Sequence, residues 1–277
     1  MATDEAEAGS YLFQPLRYEN PFWGEAMPLI VDLTNATLSV WEDATDNVDL
    51  AVVKAVTGVG GAVALWRAYQ RDADDGVAPV RRVYVVEAGD PDVVPDLAAA
   101  VAAAGADDAV VECFPTGGAG SPLAAAALCN SALLWAASAG EPVRIAQLFD
   151  HDDPETGPAW TDDHPLLGGA EAEAVLAYLD SGTEIVSTTD VMVDFRDPAR
   201  GMVVPMSFST DGRWVWIDAV AYYLRSHGLA PEPEFLDHIR QARVVPAPVP
   251  LVDAHRVLAA LVIPQAEEPP FEASGVG

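Results

Sequence analysis

Basic residues are scarce in this chain. Fourteen lysines and arginines stand against 43 aspartates and glutamates, a formal net charge of −29. Lys54 is the single lysine. Nucleic acid and anionic membrane both need a basic face that displaces counterions, so neither is expected as a partner. Cysteine is nearly absent too. Cys113 and Cys129 form no framework of spaced pairs, which predicts two reduced thiols. A secretory leader is not expected, because residues 1–10, MATDEAEAGS, are acidic where a leader is positive and then apolar. The most apolar run, Pro122 to Ala139, contains Asn130 and Ser131 and falls short of the roughly 20 residues a membrane span needs. Together these absences predict a cytoplasmic protein. The same charge permits a basic protein partner with fast, steered association. A preference for arginine and alanine inherited from a GC-rich genome would leave a similar composition.

Catalytic signatures are also missing. The phosphate-loop pattern G-x-x-x-x-G-K-[ST], the dinucleotide spacing G-x-G-x-x-G and the nucleophile elbow G-x-S-x-G do not occur with their required context. No cofactor is implied.

What is present is apolar sequence, 51% of the chain, enough for a sizeable core. The length suits one large or two small domains. Residues 1–26 read as a tail whose Phe13, Phe22 and Trp23 tuck against the body. Leu29 to Leu33 and Leu38 to Val40 read as a hairpin around Thr34-Asn35-Ala36. Asp46 to Gln70 reads as helical, kinked at Gly58, Gly60 and Gly61. Arg71 to Pro79 is polar loop. A clear alternation follows: strand at Val83–Val86, helix at Pro91–Ala104, strand at Ala109–Phe114, long helix at Ser121–Ala139, strand at Val143–Phe149. Such order predicts parallel pairing with crossover helices, here a three-strand parallel unit. The expected fold class is therefore α/β: a three-layer-like α/β domain with parallel strands over 27–150, an acidic linker or long loop over 151–169, a smaller α+β domain over 170–263, and a C-terminal tail over 264–277.

The stretch from Met202 to Leu229 carries the most consistent local signals. Val204, Met206 and Phe208 alternate as in a strand, with Pro205 suggesting an edge or a bulge. Asp211-Gly212 predicts a hairpin turn, and Trp214 and Trp216 share one face of the returning strand. Asp218 suits a helix start, Ile217, Val220, Ala221 and Leu224 repeat at helical spacing, and Gly228 suits the C′ position. Pro231 and Pro233 open a further helix, Glu234 to Ala242, and Leu251 to Val262 reads as the last. The pattern T-D-G-x-W-V-W at Thr210–Trp216, A-Y-Y-L-x-x-H-G at Ala221–Gly228 and P-E-P-E-F-L-x-H-I at Pro231–Ile239 resembles a segment of actinobacterial proteins of unknown function, some of which accompany polymorphic toxin and immunity systems. The resemblance covers about a tenth of the chain and implies no catalytic residues.

Five groups of residues stand out as places to look for a site. The glycine-rich loop with Gly117, Gly118, Gly120 and Ser121 lies between a strand and a helix, where free amides favour an anion; a plain connecting turn is the alternative. His151, Asp153, Asp162 and His164 offer imidazole and carboxylate donors for zinc, manganese or iron, although their spacing matches no zinc signature and a solvated loop explains them as well. Asp190 and Asp194, with Arg196, Asp197 and Arg200, could pair acids for proton transfer or simply form the wet side of a strand. His227 and His238 near helix ends suit the helix dipole. Trp214, Trp216, Tyr222 and Tyr223 are a packed aromatic core or a partner surface. The charge and the missing catalytic signatures favour a non-enzymatic protein that binds a basic protein, and the resemblance implies an immunity-like one. An enzyme built on the glycine loop or the His/Asp loop, and a structural subunit, are the rival classes.

Overall fold

The computed structural model describes residues 11–16, 29–34, 44–72, 81–106, 109–118, 120–242 and 246–262. Most of both expected tails, Phe22 and Trp23, the returning half of the expected hairpin and nearly all of the polar loop lie outside these residues. The fold class is α/β, with seven helices and fourteen strands among the described residues.

The first sheet has the order β2 (Val31–Asp32), β6 (Ala132–Ala136), β3 (Ala62–Asp72), β4 (Arg81–Ala88), β5 (Val110–Pro115). β1 (Tyr11–Gln14) pairs with the far end of β3. β3 runs antiparallel to β1, β4 and β6, while β4–β5 and β2–β6 are parallel. So β3 alone runs against the other five strands. Helices α1 (Asn47–Val59) and α2 (Val94–Ala103) cover one face through Val52, Val56, Leu97 and Val101 against Leu65, Tyr84 and Val86. On the other face α3 (Pro122–Leu128) and α7 (Leu251–Val262) place Ala124, Ala127 and Val252 against Trp66, Val83, Val85 and Phe114. Phe13 packs on this second face, as expected. The layers are therefore helix, sheet, helix.

Several expectations fail here, for one physical reason. The segment expected to be one kinked helix, Asp46 to Gln70, is α1 followed by β3. Gly60 and Gly61, with φ of 80° and 73°, end the helix. β3 is buried on both faces, so its apolar residues run on instead of alternating, and the strand period disappears. The expected long helix Ser121–Ala139 likewise breaks at Cys129-Asn130. Its second half is β6, whose Ala132 and Leu133 are wholly buried between β2 and β3. The β4–α2–β5 crossover forms as expected, but the three-strand parallel unit over 83–149 does not. Only Arg144–Ile145 of the expected third strand pairs, as β7, and it joins the second sheet.

That second sheet has the order β10 (Thr183–Val186), β13 (Phe208–Thr210), β14 (Trp214–Ile217), β7. Three helices cover it: α4 (Gly169–Leu179), α5 (Ala219–His227) and α6 (Pro233–Ala242). Their core joins Tyr178, Leu179, Leu224, Phe235 and Ile239 to Trp214 and Trp216. The hairpin at Asp211-Gly212 and the left-handed Gly228 (φ 71°) stand where the local signals put them. The strand expected over Val203 to Phe208 is split in two: β12 (Met202–Pro205) pairs with β11 (Val191–Val193), and β13 with β14. Residues 151–169 are more than a linker. They hold the ribbon β8 (His151–Asp153) and β9 (Gly157–Ala159), then tie back through Leu167 N to Gly228 O at 2.8 Å and Ala230 N to Pro165 O at 3.0 Å. The units also exchange elements: β7 comes from within 27–150, and α7, from within 170–263, lies on β2 and β6.

One buried ion pair anchors the first unit. Asp46 caps α1 and forms a capping box with Asp49. Asp49 is itself buried, accepts from Tyr84 Oη at 2.6 Å and pairs with Arg67 in the middle of β3. Arg67 also donates to Pro15 O at 2.8 Å and Ala44 O at 2.9 Å, so one guanidinium holds two distant loops to the sheet. Removing Asp49 alone strands this buried charge. Asp49→Ala is expected to cost about 3–5 kcal/mol in urea unfolding, and the joint change Asp49→Leu with Arg67→Met clearly less. In the second unit, a methyl on Gly182 would meet the Trp216 ring, with Cη2 at 2.7 Å. Gly182→Ala is expected to lower stability by about 1–3 kcal/mol through overpacking, read in the same unfolding experiment.

Candidate functional site

The second unit brings together residues that lie far apart in sequence. Asp194, expected on a wet strand face, follows β11 and is fully buried. Its Oδ1 accepts from the amides of Arg196 (2.9 Å) and Asp197 (3.0 Å). Its Oδ2 meets His227 Nε2 at 2.8 Å and accepts from Tyr222 Oη at 2.9 Å. Arg200 stands 3.7 Å from the same carboxylate and donates to Tyr222 Oη at 3.1 Å. Burial alone would raise the Asp194 pKa. The hydrogen bonds from His227, the Asp197 amide, Tyr222 and the Arg196 amide overcome it and hold the group down at about 2.

Asp211 repeats the arrangement at the hairpin turn. Oδ1 accepts from the amides of Arg213 (2.9 Å) and Trp214 (2.7 Å), while Oδ2 accepts from Tyr178 Oη (2.6 Å) and meets His238 Nε2 (2.5 Å). Burial pushes the Tyr178 hydroxyl upward, and the Asp211 charge pushes the same way. These histidines therefore pair with carboxylates, a role beyond complementing helix dipoles. Among the described residues no serine, threonine or cysteine side chain bonds to either ring, so a nucleophile–base pair is not assembled. Gaps of 33 and 27 residues separate aspartate from histidine. No local sequence signal spans such gaps.

The proposed metal ligands are dispersed among structural roles. His164 faces Asp150 Oδ1 at 2.9 Å through Nδ1 and Ala230 O at 3.0 Å through Nε2, so both ring nitrogens are engaged. Asp153 Oδ1 accepts from the amides of Glu155 and Thr156 at 2.8 Å and closes the β8–β9 turn. His151 and Asp162 are exposed. No group of three or more potential ligands converges among the described residues.

The glycine loop is a plain βα turn in its contacts. Ser121 caps α3 by accepting from Ala124 N at 3.1 Å, and its hydroxyl donates to Glu112 Oε2 at 2.8 Å. Gly117 has φ 75°, and Gly118 N donates to Pro115 O at 2.8 Å. Gly120 sits close over Ala124, where a Cβ would come within 3.1 Å. Glu87, buried at the end of β4, adds a second carboxylate at this edge of the sheet. An anion would meet carboxyl groups here, with no basic side chain bonded to the loop among the described residues.

The aromatic set is core. Trp214, Trp216 and Tyr223 are only 1–2% exposed, which removes them as a partner surface, and Tyr222 is half-buried against Asp194. Stacking of Trp214 on Phe235, with centroids 5.0 Å apart, shows the packing.

What the second unit offers to solvent is acid. Asp152, Asp153 and Glu155 on the β8–β9 ribbon, and Asp162 and Asp163 after it, are exposed. Meanwhile Arg67, Arg82, Arg144, Arg200, Arg225, Arg240 and Arg256 each lie within ion-pair distance of a carboxylate of this chain. Half of the fourteen bases are thereby occupied internally. No family model, curated protein or solved structure matches the chain.

The Asp194 contacts predict how stability depends on pH. A carboxylate held near 2 in the fold and near 3.9 when unfolded stabilises the fold above about pH 4, and that contribution is lost as pH falls toward 2. Denaturation midpoints measured between about pH 5 and pH 2 should fall steeply. Asp194→Asn should start lower and fall less.

Proposed function

We propose that this chain is a non-catalytic, cytoplasmic protein-binding protein, immunity-like in mode, that meets a basic protein partner through its acidic surface. One observation carries the reading. Half of the bases are taken up in internal ion pairs, while the β8–β9 ribbon and the turn after it hold out five acids that lie within ion-pair distance of no described arginine. A surface so arranged raises the local concentration of a cationic partner and orients its approach. The similarity of 210–239 to segments that accompany toxin and immunity systems supports the same reading, since immunity proteins act by covering a partner. Both cysteines are free thiols, in keeping with a reducing compartment. Among the described residues no helix is long and apolar enough to cross a membrane.

The reading is tested on a partner captured from native lysate by crosslinking. Stopped-flow association should slow by about tenfold or more between roughly 50 mM and 500 mM salt, as the screening length shrinks, while dissociation changes less. Asp152→Arg with Asp163→Arg should slow association at low salt and weaken its salt dependence. An on-rate indifferent to salt would assign the acidity to solubility alone.

A further inference from the structure

The β11–β12 ribbon has two unlike faces. Inward, Met192 and the fully buried Val204 pack with Tyr223 and Leu229. The loop joining the strands is riveted from below by Asp194, and Phe195 N donates to Tyr223 Oη at 3.0 Å. The ribbon is therefore fixed to the body. Outward it is apolar. Val191, Phe195, Met202 and Val203 are 38, 42, 63 and 43% exposed. They belong to one patch, because Val193 lies opposite Met202 and the register shifts there, leaving Val203 as the extra residue of a bulge. Scattered apolar side chains at a surface need no explanation, but a contiguous set on a rigid ribbon does.

The neighbour of this patch is acidic. Phe195 packs edge-on against Phe149 at 5.4 Å, and Phe149 against Trp160 at 4.7 Å. Phe149 and Trp160 stand just before and just after the β8–β9 ribbon, so both ribbons start from one aromatic cluster. The exposed Asp152, Asp153 and Glu155 leave the same aromatic cluster as the patch, whereas the patch's own turn carries Arg196, Asp197 and Arg200. With a net charge of −29, the cationic complement is the favoured one.

We infer that the outer face of the β11–β12 ribbon is the contact centre of the binding surface, and that it takes an apolar projection bordered by lysine or arginine on a partner protein. Interfaces place apolar side chains at the centre and charge at the rim, and the rim sets the sign of the partner. A second copy of this chain would bring a second acidic border against the first. An anionic membrane would be repelled in the same way. The inference rests on the proposed binding function and adds the place and chemistry of contact.

The probe is an amphipathic peptide of about 14 leucines and lysines, long enough to present one apolar and one basic face. Polylysine and a leucine–glutamate peptide of the same length are the comparisons. The leucine–lysine peptide should bind most tightly and slow amide hydrogen exchange in 191–205. Met202→Ser with Val203→Ser, both at exposed positions, should leave the melting temperature little changed and weaken that peptide by about tenfold or more, with polylysine unaffected. If polylysine binds as well as leucine–lysine, or the double variant changes nothing, the ribbon is not the contact centre and the acidic-surface reading survives. If neither cationic peptide binds at low salt, both readings fall. Equal binding of leucine–glutamate would remove the basic border from the proposal. A dimer in sedimentation that the double variant dissociates would replace the partner with a second copy and overturn it.

Discussion

Both halves of this protein hang on buried aspartates that accept hydrogen bonds from several directions at once. A carboxylate away from water is costly unless its lone pairs are filled, and when they are filled each bond is charge-assisted and strong. Asp49 gathers Arg67 and Tyr84 and the start of α1. Asp194 gathers a loop, a helix end and a tyrosine; Asp211 gathers a hairpin turn, α4 and α6. In each case the backbone bonds are local and the side-chain bonds are remote. The aspartate thus fixes a turn and then ties that turn to a distant helix. Because such networks lose more than one bond when a member is removed, their geometry is held more stiffly than apolar packing alone would hold it.

Legibility in the sequence followed burial. Where an element has a wet side, the pattern was readable: α2, α5, α6 and α7 and the Asp211-Gly212 hairpin stand close to where period and turn chemistry put them. Where both sides are dry the period disappeared; β4 was still legible through its run of β-branched valines, whereas β3 and β6 were not. β3 and β6 lie in the interior of the sheet, and their runs of alanine, leucine and tryptophan satisfy helix and strand equally. Alanine made this worse, since it favours helices locally yet fits a crowded sheet interior. Pairing with β3 decides β6, and β3 is about 65 residues earlier in the chain.

The site was less legible than the fold for a related reason. Residue type alone marked His227 and His238 as residues near helix ends, Asp211 as a turn residue, and Asp194 as one of a pair of acids or the wet side of a strand. Their partners are set by how α5 and α6 return over the second sheet. The glycine loop and the His/Asp loop were visible because they are compact in sequence, but compactness is what lets a turn satisfy itself. Ser121, Asp153 and His164 all spend their donors and acceptors within the fold. The exposed apolar ribbon escaped notice because Val203 read simply as a residue of one longer strand. Only the burial of Met192 and Val204 shows which side faces out.

The two populations of acid in this chain do opposite things. Those at the hubs are shielded from solvent and ions, so salt scarcely reaches them, and they hold the fold together. Those exposed on the β8–β9 ribbon and just after it repel one another, and of these acids Asp153 also closes its turn through the amides of Glu155 and Thr156. Exposed, mutually repelling acid that leaves the same aromatic cluster as an apolar patch is hard to explain by folding alone. Solubility would account for acid spread evenly over the surface. It accounts less well for acid on a ribbon that shares its aromatic base with the patch, since that placement leaves the apolar side chains accessible and sets the sign of whatever can cover them.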